Sequence, residues 1–360
     1  MLAVQQLSLY QFRNYVQKQF DFTHRVVGIV GPNGTGKTNI LDAVYYLSFT
    51  KSYFNRPDAQ NVLHSAQGMR VEGSYLIQDE KHIYTCVLRE NNKKEFYEDQ
   101  VLYPKMSQHI GKIPAVMIAP DDVHIISGAS DDRRKWLDSL MSQISADYLH
   151  TLINYNKVLQ QRNSLLKQHA DSGQLDLILL NAFNQQLVQL GELIYNERKQ
   201  LMEEIIPSIH SLYLQLAGQD DAIQLTYQSS LHQNTFSALL ESSLKKDLIL
   251  QRTTEGIHKD DIIFSIQGQP FKQEASQGQR KSLLFAMRIA EWNLLKMKKG
   301  QSPILLMDDI FEKLDERRMY QLLELVANNT DGQVFITDTH KERMSDLLSK
   351  HLQSFQLISL

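Results

Sequence analysis

The stretch "GPNGTGKT", residues 31 to 38, has the residue types and spacing that wrap a backbone around a phosphate. Gly31, Gly34 and Gly36 permit a turn whose successive N–H groups point at an anion, with Pro32, Asn33 and Thr35 completing the loop. A helix starting at the end of the motif adds its positive pole. In that frame Lys37 would bridge the β- and γ-phosphates of ATP, and Thr38 would ligate Mg²⁺. A second set of groups lies in "PILLMDDIFEKLD", residues 303 to 315, where an apolar run delivers two carboxylates at its tip. Asp308 can hold Mg²⁺ directly or through water, and Asp309 can orient or deprotonate the attacking water. The expected activity is ATP hydrolysis with Lys37, Asp308 and Asp309 as catalytic residues, slow and switch-like because aspartate at 309 is a methylene shorter than the glutamate many related ATPases carry.

Between these two lies "EASQGQRKSLL", residues 274 to 284, a polar turn running straight into an apolar helix. P-loop proteins in general lack such an element, whereas ABC-type ATPases use a Ser-x-Gly-Gln turn to cap the γ-phosphate held by a partner's cradle. Ser276, Gly278 and Gln279 fit that role, so the two turns would meet at composite sites in a head-to-tail homodimer. A "KLDE" segment after Asp309, resembling a D-loop, supports the same order of parts.

The elements that must position these residues are legible from periodicity. Residues 2 to 10 alternate and 26 to 30 form an apolar run, so both read as strands, as do 69 to 78, 82 to 89 and 115 to 119. "NILDAVYYLSF" is the helix after the cradle. From Arg133 the period turns helical through Leu159, "DSGQ" at 171 to 174 interrupts it, and Phe183 to Ile194 resume it, which describes a helical hairpin or part of a helical lobe. The expected fold class is α/β, a P-loop ABC-type ATPase head with a second, mainly helical lobe. Residues 1–117 and 297–360 form the ATPase lobe and 118–296 the helical lobe with the signature turn.

The 360 residues are 42% hydrophobic and 22% charged, with a net charge of -3 that gives no whole-molecule attraction to nucleic acid. The single Cys86 excludes an internal disulfide, and no apolar run reaches the roughly 18 residues of a membrane span. A cytoplasmic protein without a membrane partner is expected.

Over nearly its whole length the chain resembles the RecF family of bacterial recombination-mediator ATPases. The resemblance rests on "LSLYQFRNY", on "GPNGTGKTNILDAVYYLS" with Asn33, on "PDDVHIISGASDDRRKWLD" and on "LLMDDIFEKLDERR". Ser130, Trp136 and Lys313 depart from the family's usual residues away from any phosphate contact. The resemblance implies ATP-dependent homodimers that bind duplex DNA near gaps and work with RecR and RecO to load RecA on single strands. It adds Arg13 to the nucleotide-binding residues, and "ITDTH" leaves Asp338 or His340 to face the γ-phosphate, His340 being preferred. Candidate DNA contacts are Arg133, Arg134 and Lys135, with Lys51 and Arg56 after the first helix. The residues alone support less, an ABC-type clamp or nucleotide switch whose partner need not be DNA. Asn33 and the lobe between 120 and 260 argue against a transporter subunit, and the short spacing between cradle and signature turn leaves no room for the long arms of a chromosome scaffold.

Overall fold

Strand β1 (Leu2–Phe12) buries Leu2 and Val4, then Leu7 and Leu9, because a register shift between Val4 and Gln6 returns the second pair to the same face. It pairs with β2 (Tyr15–Asp21) and β4 (Met69–Ile77) in a six-stranded antiparallel sheet, ordered β2-β1-β4-β5-β6-β7, that includes β5 (Glu80–Leu88), β6 (Lys94–Glu98) and β7 (Val101–Leu102). A second sheet is parallel throughout, in the order β14-β3-β13-β12-β8. Its strands are β3 (Val26–Val30), β8 (Ala115–Ile118), β12 (Ile304–Met307), β13 (Val334–Asp338) and β14 (Gln356–Ser359). All but β14 are buried end to end, as a parallel sheet covered on both faces requires.

Helix α1 (Lys37–Phe49) lies against strands of both sheets, which explains why it is buried almost all round instead of amphipathic. One continuous apolar core joins it to the two sheets. The Gln333 side chain ties the sheets together, accepting from the Val4 N–H at 2.6 Å and donating to the Val4 carbonyl at 3.0 Å.

This computed structural model describes residues 2–54, 56–310, 316–329 and 331–360. Most of the "KLDE" segment therefore lies outside the described residues. Chain contacts define two units, 1–123 with 211–219 and 277–360, and 124–210 with 220–276. The division differs from the one expected at 118 and 296. Helix α8 (Gln277–Lys299) belongs with the sheets because its apolar residues pack on β8 and Trp292 donates to the Pro303 carbonyl at 2.8 Å. The first unit also holds α9 (Glu316–Asn329) and α10 (Lys341–His351).

The second unit begins in the short α2 (Val123–Ser127) and continues with α3 (Ser130–Ile144), α4 (Ala146–Ser172) and α5 (Leu177–Ala217), whose last residues count with the first unit. The helical run from Arg133 is not continuous. Ser145 adopts an extended conformation and its hydroxyl accepts from the Tyr148 N–H, so a cap separates α3 from α4. Gly173, at φ 72°, closes α4 within the expected "DSGQ" interruption. The unit also contains a three-stranded sheet of β9 (Ile223–Gln228), β10 (Asp261–Ile266) and β11 (Gln269–Pro270), with α6 (Phe236–Leu250) and α7 (Phe271–Glu274). Among the described residues no helix is long and apolar enough to cross a membrane.

Candidate nucleotide site

Strand β3 ends at Val30 and α1 starts at Lys37, so the loop of residues 31 to 36 sits at the strand-to-helix turn that the chemistry needs. Gly36, at φ 106°, precedes the helix, and a Cβ there would lie 2.6 Å from the Tyr15 hydroxyl and 2.7 Å from Asn14 Nδ2. Only glycine fits. Asn14 donates to the Thr35 carbonyl at 3.0 Å and Tyr15 to the Gly36 carbonyl at 3.2 Å, so the turn after β1 braces the cradle. These two side chains were missed as site residues, although "RNY" contains them. Lys37 is buried and its Nζ donates to the carbonyls of Gly31 at 2.9 Å and Pro32 at 3.1 Å, which holds the cation across the loop. Pro32, Asn33 and Gly34 form the exposed rim, and the Thr35 hydroxyl donates to the Pro32 carbonyl at 2.9 Å.

Buried β12 delivers Asp308 to this loop. The Thr38 hydroxyl lies 3.0 Å from both of its carboxylate oxygens, and the Thr337 hydroxyl donates to it at 2.8 Å. Thr337 also accepts from the Asp309 N–H at 2.8 Å, an anchoring role that "ITDTH" carried without drawing notice. Asp309 takes a left-handed conformation at φ 42°, uncommon outside glycine and tolerated best by Asp and Asn. Burial pushes the Asp308 carboxyl up to about 6, against the hydrogen bonds of Thr337 and Thr38, and the neighbouring Asp309 charge adds to the rise.

Of the other expected residues, Arg13 is the one placed differently. The Arg13 guanidinium is nearly buried, paired with Asp42 and hydrogen-bonded to Ser52 and Asn39, so it is committed to the wall behind the cradle instead of to a phosphate. Asp338 is buried and engaged by Arg343, while His340 is exposed at the start of α10 with its Nδ1 2.7 Å from the Thr339 hydroxyl. Ser276 is exposed and immediately precedes α8, with Gly278 and Gln279 half-buried in its first turn. A Cβ at Gly278 would lie 2.6 Å from the Arg318 guanidinium, so a larger residue there would make that flexible side chain of α9 shift.

The candidate DNA contacts are corrected in part. Arg133 is 9% exposed and makes a two-pronged pair with Asp261 at 2.6 and 2.9 Å, so it serves the interior of its unit. Arg134 donates to the Asp260 carbonyl at 2.7 Å, and Lys135 pairs with Asp131 at the surface. Lys51 and Arg56 are exposed.

A strand, a glycine-rich cradle, a second strand ending in paired aspartates and a helix opened by Ser-Gln-Gly-Gln define an ABC-type ATPase head. The family model described as the RecF/RecN/SMC N-terminal domain matches residues 3–356. Proteins called DNA replication and repair protein RecF are 40% identical in Flavobacterium johnsoniae, covering all of both chains, and 38% identical in Parabacteroides distasonis, covering 96% of this chain and 94% of that one. The chain belongs to the RecF family. The solved structure of the recombination mediator protein RecF-ATPrS in the RecFOR pathway is 25% identical with a TM-score of 0.89, covering 100% of this chain and 96% of that one. An Smc head bound to the C-terminal domain of ScpA, 14% identical at a TM-score of 0.55 and covering 100% and 93%, shares the fold.

Proposed function

We propose that the chain is an ATP-dependent, DNA-binding recombination mediator whose ATP-bound homodimer clamps duplex DNA near single-strand gaps and helps RecR and RecO load RecA. The observation that carries this is the convergence of Lys37, Thr38 and Asp308 on one phosphate-shaped turn. Thr38 and Asp308 present hard oxygen donors side by side, a set that suits Mg²⁺ completed by phosphate and water. Bound there, the ion would neutralise charge on the β- and γ-phosphates. Lys37 binds and orients the same phosphates, the loop N–H groups hold them at the helix pole, and Asp309 accepts a proton from the attacking water. Ser276, Gly278 and Gln279, with His340, complete the γ-phosphate site across the pair. Aspartate at 309 is a methylene shorter than the glutamate many related ATPases use, which favours slow hydrolysis acting as a reset.

A rival reading, a nucleotide switch acting on a non-DNA partner, draws support from the withdrawal of Arg133 into its unit. Sedimentation of Asp309→Asn with ATP, ADP or no nucleotide, with and without gapped duplex, decides between them. An ATP-specific dimer that carries duplex DNA is expected. A stable ATP dimer with no affinity for duplex DNA at low salt sinks the mediator reading and leaves the switch.

A further inference from the structure

The second unit spends unusual effort on one short loop, residues 251 to 260, between α6 and β10. Arg162 is fully buried and donates to Asp247 at 2.8 Å and to the Thr253 hydroxyl at 2.7 Å. Asp247 accepts in turn from the Thr254 N–H at 2.9 Å and hydroxyl at 2.6 Å. Asn163 receives both the N–H and the hydroxyl of Thr253, at 2.7 and 2.8 Å, and the His258 Nε2 lies 3.1 Å from the Thr253 carbonyl. A loop fixed from beneath at this many points presents its outward side chains in a set arrangement.

The outward side chains of this loop and of the helix before it include several cations. Lys246 on α6, Arg252 and Lys259 are all exposed, and Arg134 reaches the carbonyl of Asp260, the residue after Lys259. The acids of the same stretch do not cancel them, because Asp247 and Asp260 are buried and face inward to Arg162 and Arg198. Opposing charges nearby include the half-buried Glu255 and the exposed Asp131, a partner of Arg134. Burial first, and then the charges of Arg252, Arg134 and Lys246, push the Lys259 ammonium below its ordinary range, a sign that the cations stand close enough to repel. Burial pushes His258 down to about 4, so it stays neutral and adds nothing to the repulsion at pH 7. Like charges held together in this way are relieved by a polyanion.

We propose that Lys246, Arg252 and Lys259, together with Arg134, form a docking surface for the phosphate backbone of duplex DNA. The inference rests on the DNA-binding reading above and assigns it a surface that Arg133 cannot supply. Residues 251 to 260 contain no Phe, Tyr or Trp, so this loop offers charge to phosphates and no aromatic ring for stacking an unpaired base.

The test is the salt dependence of binding by the full chain with ATP and Mg²⁺, using duplex and single-stranded probes between about 50 and 200 mM salt. Lys246→Ala, Arg252→Ala and Lys259→Ala combined should lower the slope of log affinity against log salt for duplex by about 2 to 3, at unchanged ATP affinity. Arg252→Ala alone, expected to lower it by about 1, serves if the triple variant misfolds. An unchanged duplex slope beside normal wild-type binding overturns this surface and leaves the DNA reading standing. Wild-type protein that binds no duplex at low salt overturns both. A loss confined to the single-stranded probe overturns the assignment to duplex.

Discussion

Two carboxylates in this chain are buried to nearly the same degree and are partnered differently. Asp247, in the second unit, faces the fully buried Arg162 and two donors from Thr254. Asp308, beside the cradle, faces the hydroxyls of Thr38 and Thr337, and burial pushes its carboxyl up to about 6. The first arrangement supplies its own cation, while the second holds a carboxylate in place with neutral groups and suits a cation from outside. The first site therefore contributes fixed geometry, and the second accepts instability in exchange for binding.

The largest effect should come from Arg162→Met, which leaves Asp247 buried without its cation. A loss of about 3–5 kcal/mol is expected in urea denaturation, partly recovered by adding Asp247→Leu. A loss of about 1 kcal/mol or less, typical of a surface pair, would break the contrast.

Asp308→Asn should act in the opposite direction. The folded pKa of about 6 lies above the ordinary 3.8, so the folded state holds the proton more tightly. Relative to an unperturbed carboxyl, its penalty is absent below pH 3.8 and grows as pH rises through about 6. Without nucleotide and divalent cation, the variant should therefore match the native protein near pH 4 and exceed it by up to about 3 kcal/mol at pH 8. It should also lose the stabilisation that ATP with Mg²⁺ gives the native chain. Equal stability at both pH values would remove the strain assigned to Asp308.

The smallest effect belongs to Lys135→Ala, which removes an exposed pair with Asp131 one helical turn away. About 0.5 kcal/mol or less is expected by thermal unfolding. A cost several times larger would mean that charge pairs in the second unit are coupled well beyond the buried ones.

Local order was written plainly in the chain. Spacing alone identified the cradle between β3 and α1, because a phosphate loop needs glycines at fixed offsets from a strand and a helix. The apolar run into Asp308 and Asp309 was legible for the same reason, and the break near Gly173 followed from a residue that favours a left-handed turn. The periods of β2, β6 and β9 are too weak to stand out in the sequence, and Ser145 falls within a helical period although it caps α4 in an extended conformation. Partner choice was the part that only the tertiary structure decided. Arg13 goes to Asp42, Arg133 to Asp261, and Thr337 to Asp308, each across a span that no local pattern reports. The same holds for the grouping of Arg134, Lys246, Arg252 and Lys259. A side chain's period fixes the face it occupies, whereas its electrostatic role depends on which distant charge folding brings within a few ångströms.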